Sequence, residues 1–259
     1  MDVTTIIDLI LSHRKSILEG MHGTSVIDFP WGIQFNWKAN IYPLSNFSYI
    51  QNLPIEEIAE LRTWIEGDKS RRFLVSDKQI MNKFTNLEVG DLDIYWRDTK
   101  SVKLPISGQF DIIKYSFNIQ DRNFDVKILT DTVCKMLEVA IEDRIEFGRF
   151  IGGILHMVNG EFWVLHDGDL NIRSIALISN LSLNGDIKLI EFIVTHKQFR
   201  REGHAKMLLN TILGKNPKTK FIFPTYTNMI ELEIQSFYGD FLINHAFKLI
   251  SKVNLFRSQ

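Results

Sequence analysis

Residues 190–213, IEFIVTHKQFRREGHAKMLLNTIL, decide the fold. An apolar run from Ile190 to Val194 gives way to a polar stretch around Arg200 and Arg201. Apolar residues then return at helical spacing at Ala205, Leu208, Leu209 and Ile212. The pattern predicts a strand, a short loop and an amphipathic helix. The first turn of such a helix presents backbone N–H groups with no intrahelical acceptor, together with the positive end of the helix dipole. Gly203 lets the backbone come close to a bulky phosphate, small Ala205 avoids a clash, and Arg200 and Arg201 add positive charge. A pyrophosphate is the natural guest. Neither GxxxxGK[ST] nor a GxGxxG after a strand occurs, which argues against a P-loop and removes the dinucleotide fingerprint.

Upstream, EFWVLHD (161–167), IRSIALISNLS (172–182) and IKLIEFIVT (187–195) read as three hairpin-linked strands, with Asn184-Gly185 as a tight turn. Before them, Phe150, Ile151, Ile154, Leu155 and Val158 predict a helix stopped at Asn159-Gly160, where Gly148, Gly152 and Gly153 suit close helix packing. An earlier helix carries Val133, Met136, Leu137, Ala140 and Ile141, capped by Asp131 or Thr132, and NFDVKILTD (123–131) ahead of it reads as a strand. Downstream come a strand KFIFPT (220–225), a helix from Met229 to Asn244, and a last strand FKLISKVNLF (247–256). From residue 125 the expected order is β-α-α-β-β-β-α-β-α-β.

The first 120 residues also mix helices and strands. A helix is expected over 2–19, a strand in WGIQFNWK (31–38), and a helix from Pro54 to Gly67. Further strands are expected in RRFLVSD (71–77) and from Leu92 to Trp96. No chemical motif is found there.

The chain has 259 residues, 45% hydrophobic and 24% charged, with a net charge of -1, so disorder and a polyanion-binding tail are both disfavoured. Its one cysteine, Cys134, excludes an internal disulfide and a multi-cysteine zinc site, and it reads as a small core residue. His196 and His204 lack metal-ligand spacing, and no metal is expected. The N-terminus lacks the features of a secretory signal, and the longest apolar run, broken at His156, is far short of the ~20 residues that span a bilayer. A cytoplasmic protein in a reducing compartment, with neither membrane nor nucleic acid as partner, is expected.

Arg200-x-x-Gly203-x-Ala205 lies between a strand and a helix. The next strand and helix follow in order, and Ala246-Phe247 stands near the C-terminus. Together these resemble the acetyl-CoA-binding region of the Gcn5-related N-acetyltransferases, whose motif is Gln or Arg, two residues, Gly, one residue, Gly or Ala, and which usually have Gly-Phe at the later position. The resemblance covers residues 125–259. It implies an α+β fold with a mixed, largely antiparallel sheet flanked by helices, and acetyl-CoA as co-substrate. It also implies that Arg201, Glu202, Gly203, His204, Ala205 and Lys206, beside Arg200, bind the pyrophosphate. The backbone of Ile193, Val194 and Thr195 would pair with the pantetheine arm like an added strand, with an N–H near Val194 offered to the oxyanion. Lys215, Lys218 and Lys220 read as a solvated turn, or as reaching the cofactor's ribose phosphate. Some members of the family are fused pairs in which one half has lost cofactor binding. On that pattern residues 1–120 form a second α+β domain that shapes the acceptor site, with Trp31, Trp37, Trp64 and Trp96 either lining it or simply packing.

Glu191 is the candidate base. Its parity with Ile187, Leu189 and Ile193 puts a carboxylate on an otherwise apolar face, and the alternative is a structural or substrate-holding carboxylate. The family's acid is a tyrosine five residues before the phenylalanine, a place taken here by Leu242. Tyr238, one helical turn earlier, is the candidate acid, and otherwise a packing aromatic. A thiol with a pKa near ~8.5 leaves tolerably as its anion, so the departure weakens the site more than the class. The expected activity is acetyl transfer from acetyl-CoA to a primary amine of a small molecule or an amino-terminal group. The alternative is a catalytically silent acyl-CoA sensor. Expected partners are the small-molecule or peptide amine, with a homodimer allowed.

Overall fold

The computed structural model describes residues 2–37, 47–50, 53–67, 72–75, 88–99, 110–116, 126–227 and 241–257. Helix α1 spans Val3–Glu19 and starts at Asp2, whose carboxylate accepts the Thr5 N–H at 2.9 Å. Strands β1 (Thr24–Phe29), β2 (Gly32–Trp37) and β3 (Phe47–Ile50) form an antiparallel meander. A 3-10 turn over Ile55–Glu57 leads into α2 (Ile58–Glu66), followed by β4 (Arg72–Val75) and β5 (Glu88–Arg97). After β6 (Phe110–Ser116) come α3 (Val126–Met136) and α4 (Arg144–Met157). The meander β7 (Glu161–Asp167), β8 (Ile172–Asn180) and β9 (Ile187–Thr195) leads to α5 (His204–Lys215), β10 (Lys220–Thr227) and β11 (Lys248–Arg257). The helix expected over Met229–Asn244 falls mostly outside the described residues; its end, 241–244, is helical.

Both ends of the helix expected around Val133 are corrected: it stops at Met136, so Leu137 and Ala140 lie beyond it and Ile141, in the next 3-10 turn, is exposed rather than on its apolar face. NFDVKILTD is not a strand from Val126 onward: α3 already runs there, with Asp131 and Thr132 inside it rather than at its cap. The apolar residues fit both periods locally, but Leu129, Thr130, Val133, Cys134 and Met136 are buried together, which only the helical period allows. Thr132 satisfies its hydroxyl by donating to the Ile128 carbonyl at 2.8 Å.

Among the described residues eleven strands form one sheet, in the order β1-β2-β3-β4-β11-β5-β10-β9-β8-β7-β6. Neighbours are antiparallel except β3 with β4 and β9 with β10. The order contains a repeat. In each half a helix-led meander (β1-β2-β3, β7-β8-β9) is followed by a helix (α2, α5) and a strand parallel to the meander's last strand (β4, β10). The long strand that ends each half crosses over: β5 pairs with β10 and β11 pairs with β4, while β5 and β11 pair with each other. The sheet is therefore continuous from the first half to the second.

Helices α1, α3 and α4 cover one face, where Ile17, Val133, Phe150 and Ile154 pack on Val164, Ile175 and Leu177. Helix α5 covers the other, its Leu208, Leu209 and Ile212 packing on Trp163, Ala176 and Ile178. With both faces covered, β7 is buried along its whole length and shows no alternation of exposure. Of the α4 glycines, Gly153 makes the close approach: a Cβ there would lie 2.9 Å from Ile17 Cγ2 of α1. Among the described residues no helix is long and apolar enough to cross a membrane.

Candidate active site

The site begins where the sheet comes apart. Strands β9 and β10 pair only over Ile187–Leu189 against Lys220–Ile222. Beyond that point β9 stays paired to β8 as far as Thr195, and β10 to β5 as far as Thr227. The parting coincides with a β-bulge: Ile190 opposes Ile178 and Phe192 opposes Leu177, leaving Glu191 as the extra residue. A bulge bends its strand and increases the local twist, which carries β9 away from its parallel neighbour. It also resets the alternation. Ile187 and Leu189 pack on the α1 side, Phe192 and Val194 join the core under α1, α3 and α4, and Ile193 turns to the α5 side. The expected shared face of Glu191 and Ile193 is thus corrected by the bulge between them.

After β9, a 3-10 turn over Lys197–Phe199 leads into the loop ahead of α5. Arg201 (φ 71°) and Gly203 (φ 84°) both take left-handed backbone, and Gly203 is the N-cap without a side-chain cap bond. For arginine this conformation costs about 1–2 kcal/mol, a strain common at binding loops. The first bond into the helix runs from Met207 N–H to Gly203 O, so the N–H groups of His204, Ala205 and Lys206 have no intrahelical acceptor. A Cβ at Gly203 would meet nothing within 4 Å, so the space over this turn is open. Arg200, Arg201, Glu202 and Lys206 are exposed around it, and Arg200 Nε donates to the Thr195 carbonyl at 3.4 Å. These groups fit a pyrophosphate.

The His204 side chain does not point the same way as its amide. It is buried, with ring centroids 5.0 Å from Phe110 and 6.4 Å from Phe199, and its Nε2 lies 3.7 Å from Glu202. The loop is tied to the β7–β8 hairpin by Arg173, whose guanidinium lies 3.5 Å from the Phe199 ring centroid and donates to Asp167 at 2.8 Å. Burial pushes the Asp167 carboxyl up. Hydrogen bonds from Asn171, Arg173 and the Asp169 N–H outweigh this and hold its pKa at about 2.

Glu191 is almost completely enclosed, its side chain 1% exposed. Arg14 Nη2 of α1 lies 2.5 Å from Oε2, Ser179 Oγ of β8 donates to Oε1 at 2.6 Å, and His13 Nε2 is 3.5 Å from Oε1. Burial, with the Arg14 charge adding to it and Glu191 opposing it, lowers the His13 pKa to about 4, so its imidazole is neutral at pH 7. Sequence reasoning missed Arg14, His13 and Ser179. Tyr238 lies outside the described residues, while Leu242 is fully buried in the core under α5. Lys215 and Lys220 each rest on a tryptophan, 5.7 Å from Trp163 and 5.8 Å from Trp96. Trp37 packs 5.6 Å from Phe150, and the Trp31 indole donates to Glu57.

The equivalent turn in the first half, ahead of α2, has the opposite character. Glu56, Glu57 and Glu60 occupy its first turns and disfavour an anion. Only the second half offers a phosphate cradle among the described residues.

No family model matches the sequence, and the search of curated proteins gives no match. The fold has clear likenesses among solved structures. A GCN5-related N-acetyltransferase from Kribbella flavida superposes with a TM-score of 0.61 at 6% identity, covering 100% of this chain and 97% of that one. A tandem GNAT protein from the clavulanic acid biosynthesis pathway gives 0.56 at 8% identity, covering 94% and 86%. A functionally unknown conserved protein from Staphylococcus epidermidis gives 0.62 at 10% identity, covering 91% and 93%. At these identities the likeness is one of fold. The fold is that of the GCN5-related N-acetyltransferases, a mixed, mostly antiparallel sheet between helices.

Proposed function

We propose that this chain of acetyltransferase fold is an acetyl-CoA-dependent N-acetyltransferase acting on a primary amine of a small molecule or an amino-terminal group. The observation that carries the reading is the parting of β9 from β10 directly ahead of an open, cationic helix N-terminus. In this reading the backbone of Ile193, Val194 and Thr195 receives the pantetheine arm as an added strand. The N–H groups of His204, Ala205 and Lys206, with Arg200 and Arg201, hold the pyrophosphate. Acetyl-CoA, when bound, supplies an acetyl group activated as a thioester. A β9 N–H turned away from β8, at Ile193 or Thr195 beside Val194, faces the charge that develops on the thioester carbonyl oxygen. For Glu191 the enclosed carboxylate favours the structural alternative over the base, and the amine then arrives unprotonated from solvent. The first half, whose own helix start is acidic, shapes the acceptor side.

Thermal unfolding with and without acetyl-CoA tests the reading. Ligand at 100 times its dissociation constant adds ~2.7 kcal/mol, a rise of roughly 5–10 °C for a chain of this size, and Gly203→Val removes most of it. No shift at millimolar acetyl-CoA sinks the proposal. A panel of amines followed by thiol release then separates the two uses of the fold. Turnover marks the transferase. A shift without turnover marks the acyl-CoA sensor, a second reading supported by Leu242 in place of the family's tyrosine.

A further inference from the structure

We propose that Arg14 is a positioning residue for the acetyl transfer proposed above: by gripping the Glu191 carboxylate it fixes the bulge that parts β9 from β10. The inference rests on that reading of the function and adds to it a residue from the first half of the chain. Arg14 is fully buried and belongs to α1, 177 residues away from its partner. Its Nη2 lies 2.5 Å from Glu191 Oε2, and its guanidinium carbon is 5.2 Å from the Phe150 ring centroid on α4. Ser179 grips the other carboxylate oxygen from β8 at 2.6 Å. The extra residue of the bulge is thereby bolted to a helix on one side and to the neighbouring strand on the other.

Two physical points carry the step from contact to role. First, the last β9–β10 pair is Leu189 with Ile222, and the bulge begins at the next residue, so whatever sets the bulge sets where the cleft opens. Second, a buried ion pair is a poor way to gain stability, since an apolar pair of similar volume usually does as well or better. Ile6, Ile7, Ile10 and Leu18 already fasten α1 to the sheet. What the charged pair adds is direction: a charge-assisted Nη2–Oε2 contact, with Ser179 holding Oε1, fixes the carboxylate in one orientation, whereas two apolar side chains slide. The backbone that this geometry holds, Phe192 to Thr195, includes the residues proposed to meet the pantetheine arm and the thioester.

The test compares Arg14→Met, Glu191→Gln and the double variant Arg14→Met/Glu191→Leu by unfolding temperature, acetyl-CoA affinity, turnover and amide hydrogen exchange. Arg14→Met takes the guanidinium charge away from a buried carboxylate that keeps its Ser179 hydrogen bond, and is expected to be the least stable. The double variant removes both charges and regains an unfolding temperature close to that of the wild-type protein. It is nonetheless expected to bind acetyl-CoA at least tenfold more weakly, to lose at least tenfold in kcat, and to exchange the Phe192–Thr195 amides at least tenfold faster. The amides of Leu208–Leu213 in α5 should be unchanged. Glu191→Gln keeps a carbonyl oxygen to accept from Arg14 while its amide N–H donates to the Ser179 Oγ, so both contacts survive and its kcat should stay within about threefold of wild type. A double variant that regains affinity and kcat with its stability overturns the proposal, as does Glu191→Gln losing a hundredfold in kcat, which would make Glu191 the base. Unchanged exchange at Phe192–Thr195 overturns it whatever the wild-type protein does with acetyl-CoA. Faster exchange in variants of a chain that binds no acetyl-CoA overturns the reading of the function instead.

Discussion

Ala246 carries a left-handed backbone (φ 62°) where the last described helical turn ends, and the Phe247 N–H reaches back to the Leu242 carbonyl at 3.0 Å. This is the position at which the related fold usually has glycine. A Cβ there costs about 1–2 kcal/mol, of which the looser unfolded chain of a glycine variant returns part. Ala246→Gly should therefore stabilise the protein by about 1 kcal/mol in urea unfolding; a loss of stability would mean that the methyl group packs. Arg97 supports the same turn by donating to the His245 carbonyl at 3.1 Å. At this scale Arg14 was half legible. It stands in the stripe Ile7, Ile10, Arg14, Ile17, Leu18 of α1, a lone cation on an apolar face, just as Glu191 is a lone anion on an apolar strand. A buried charge requires a partner, and the two signals match in sign. Nothing in the linear order joins residue 14 to residue 191.

Helix α1 carries a pH-dependent contribution through His13. Folded His13 stays neutral down to about pH 4, whereas in the unfolded chain it takes up a proton near 6.5. Its contribution is fully present above 6.5 and is lost as pH falls through the window from 6.5 to 4. Between pH 7 and 4.5 the loss is about 2–3 kcal/mol at 1.36 kcal/mol per pKa unit. Urea unfolding at the two pH values should show it, and His13→Phe should remove that part of the difference; an equal fall in the variant would assign the loss to carboxylates such as Glu161. Element types and limits were mostly legible. The meander β7-β8-β9, the stop of α4 at Asn159-Gly160 and the start of α5 at Gly203 follow from apolar period and turn residues. The α3 error arose because a short apolar run fits period two as well as period 3.6 until one knows which residues share a core.

For the whole molecule, the crossing of β5 and β11 matters most. Each half closes its sheet with a strand from the other, so residues 126–259 alone would leave β10 without β5, β11 without β4 and β5, and β7 without β6. Exposed strand edges and lost core then favour aggregation. The fragment should be insoluble or unfolded, and the intact chain should unfold in one calorimetric transition; a fragment with a cooperative transition of its own would show two independent units. The second-half strands and helices, the phosphate-fitting turn at Gly203 and, through these, the fold class are written in the linear order, because all of them depend on local period, turn chemistry and N–H groups a few residues apart. The exchange of β5 and β11, the bulge at Glu191, the turning of Ile193 away from it, and the grip of Arg14 emerge only on folding. These depend on which groups meet across long stretches of chain, and a partner's sign and period are shared by too many residues for the linear order to choose among them.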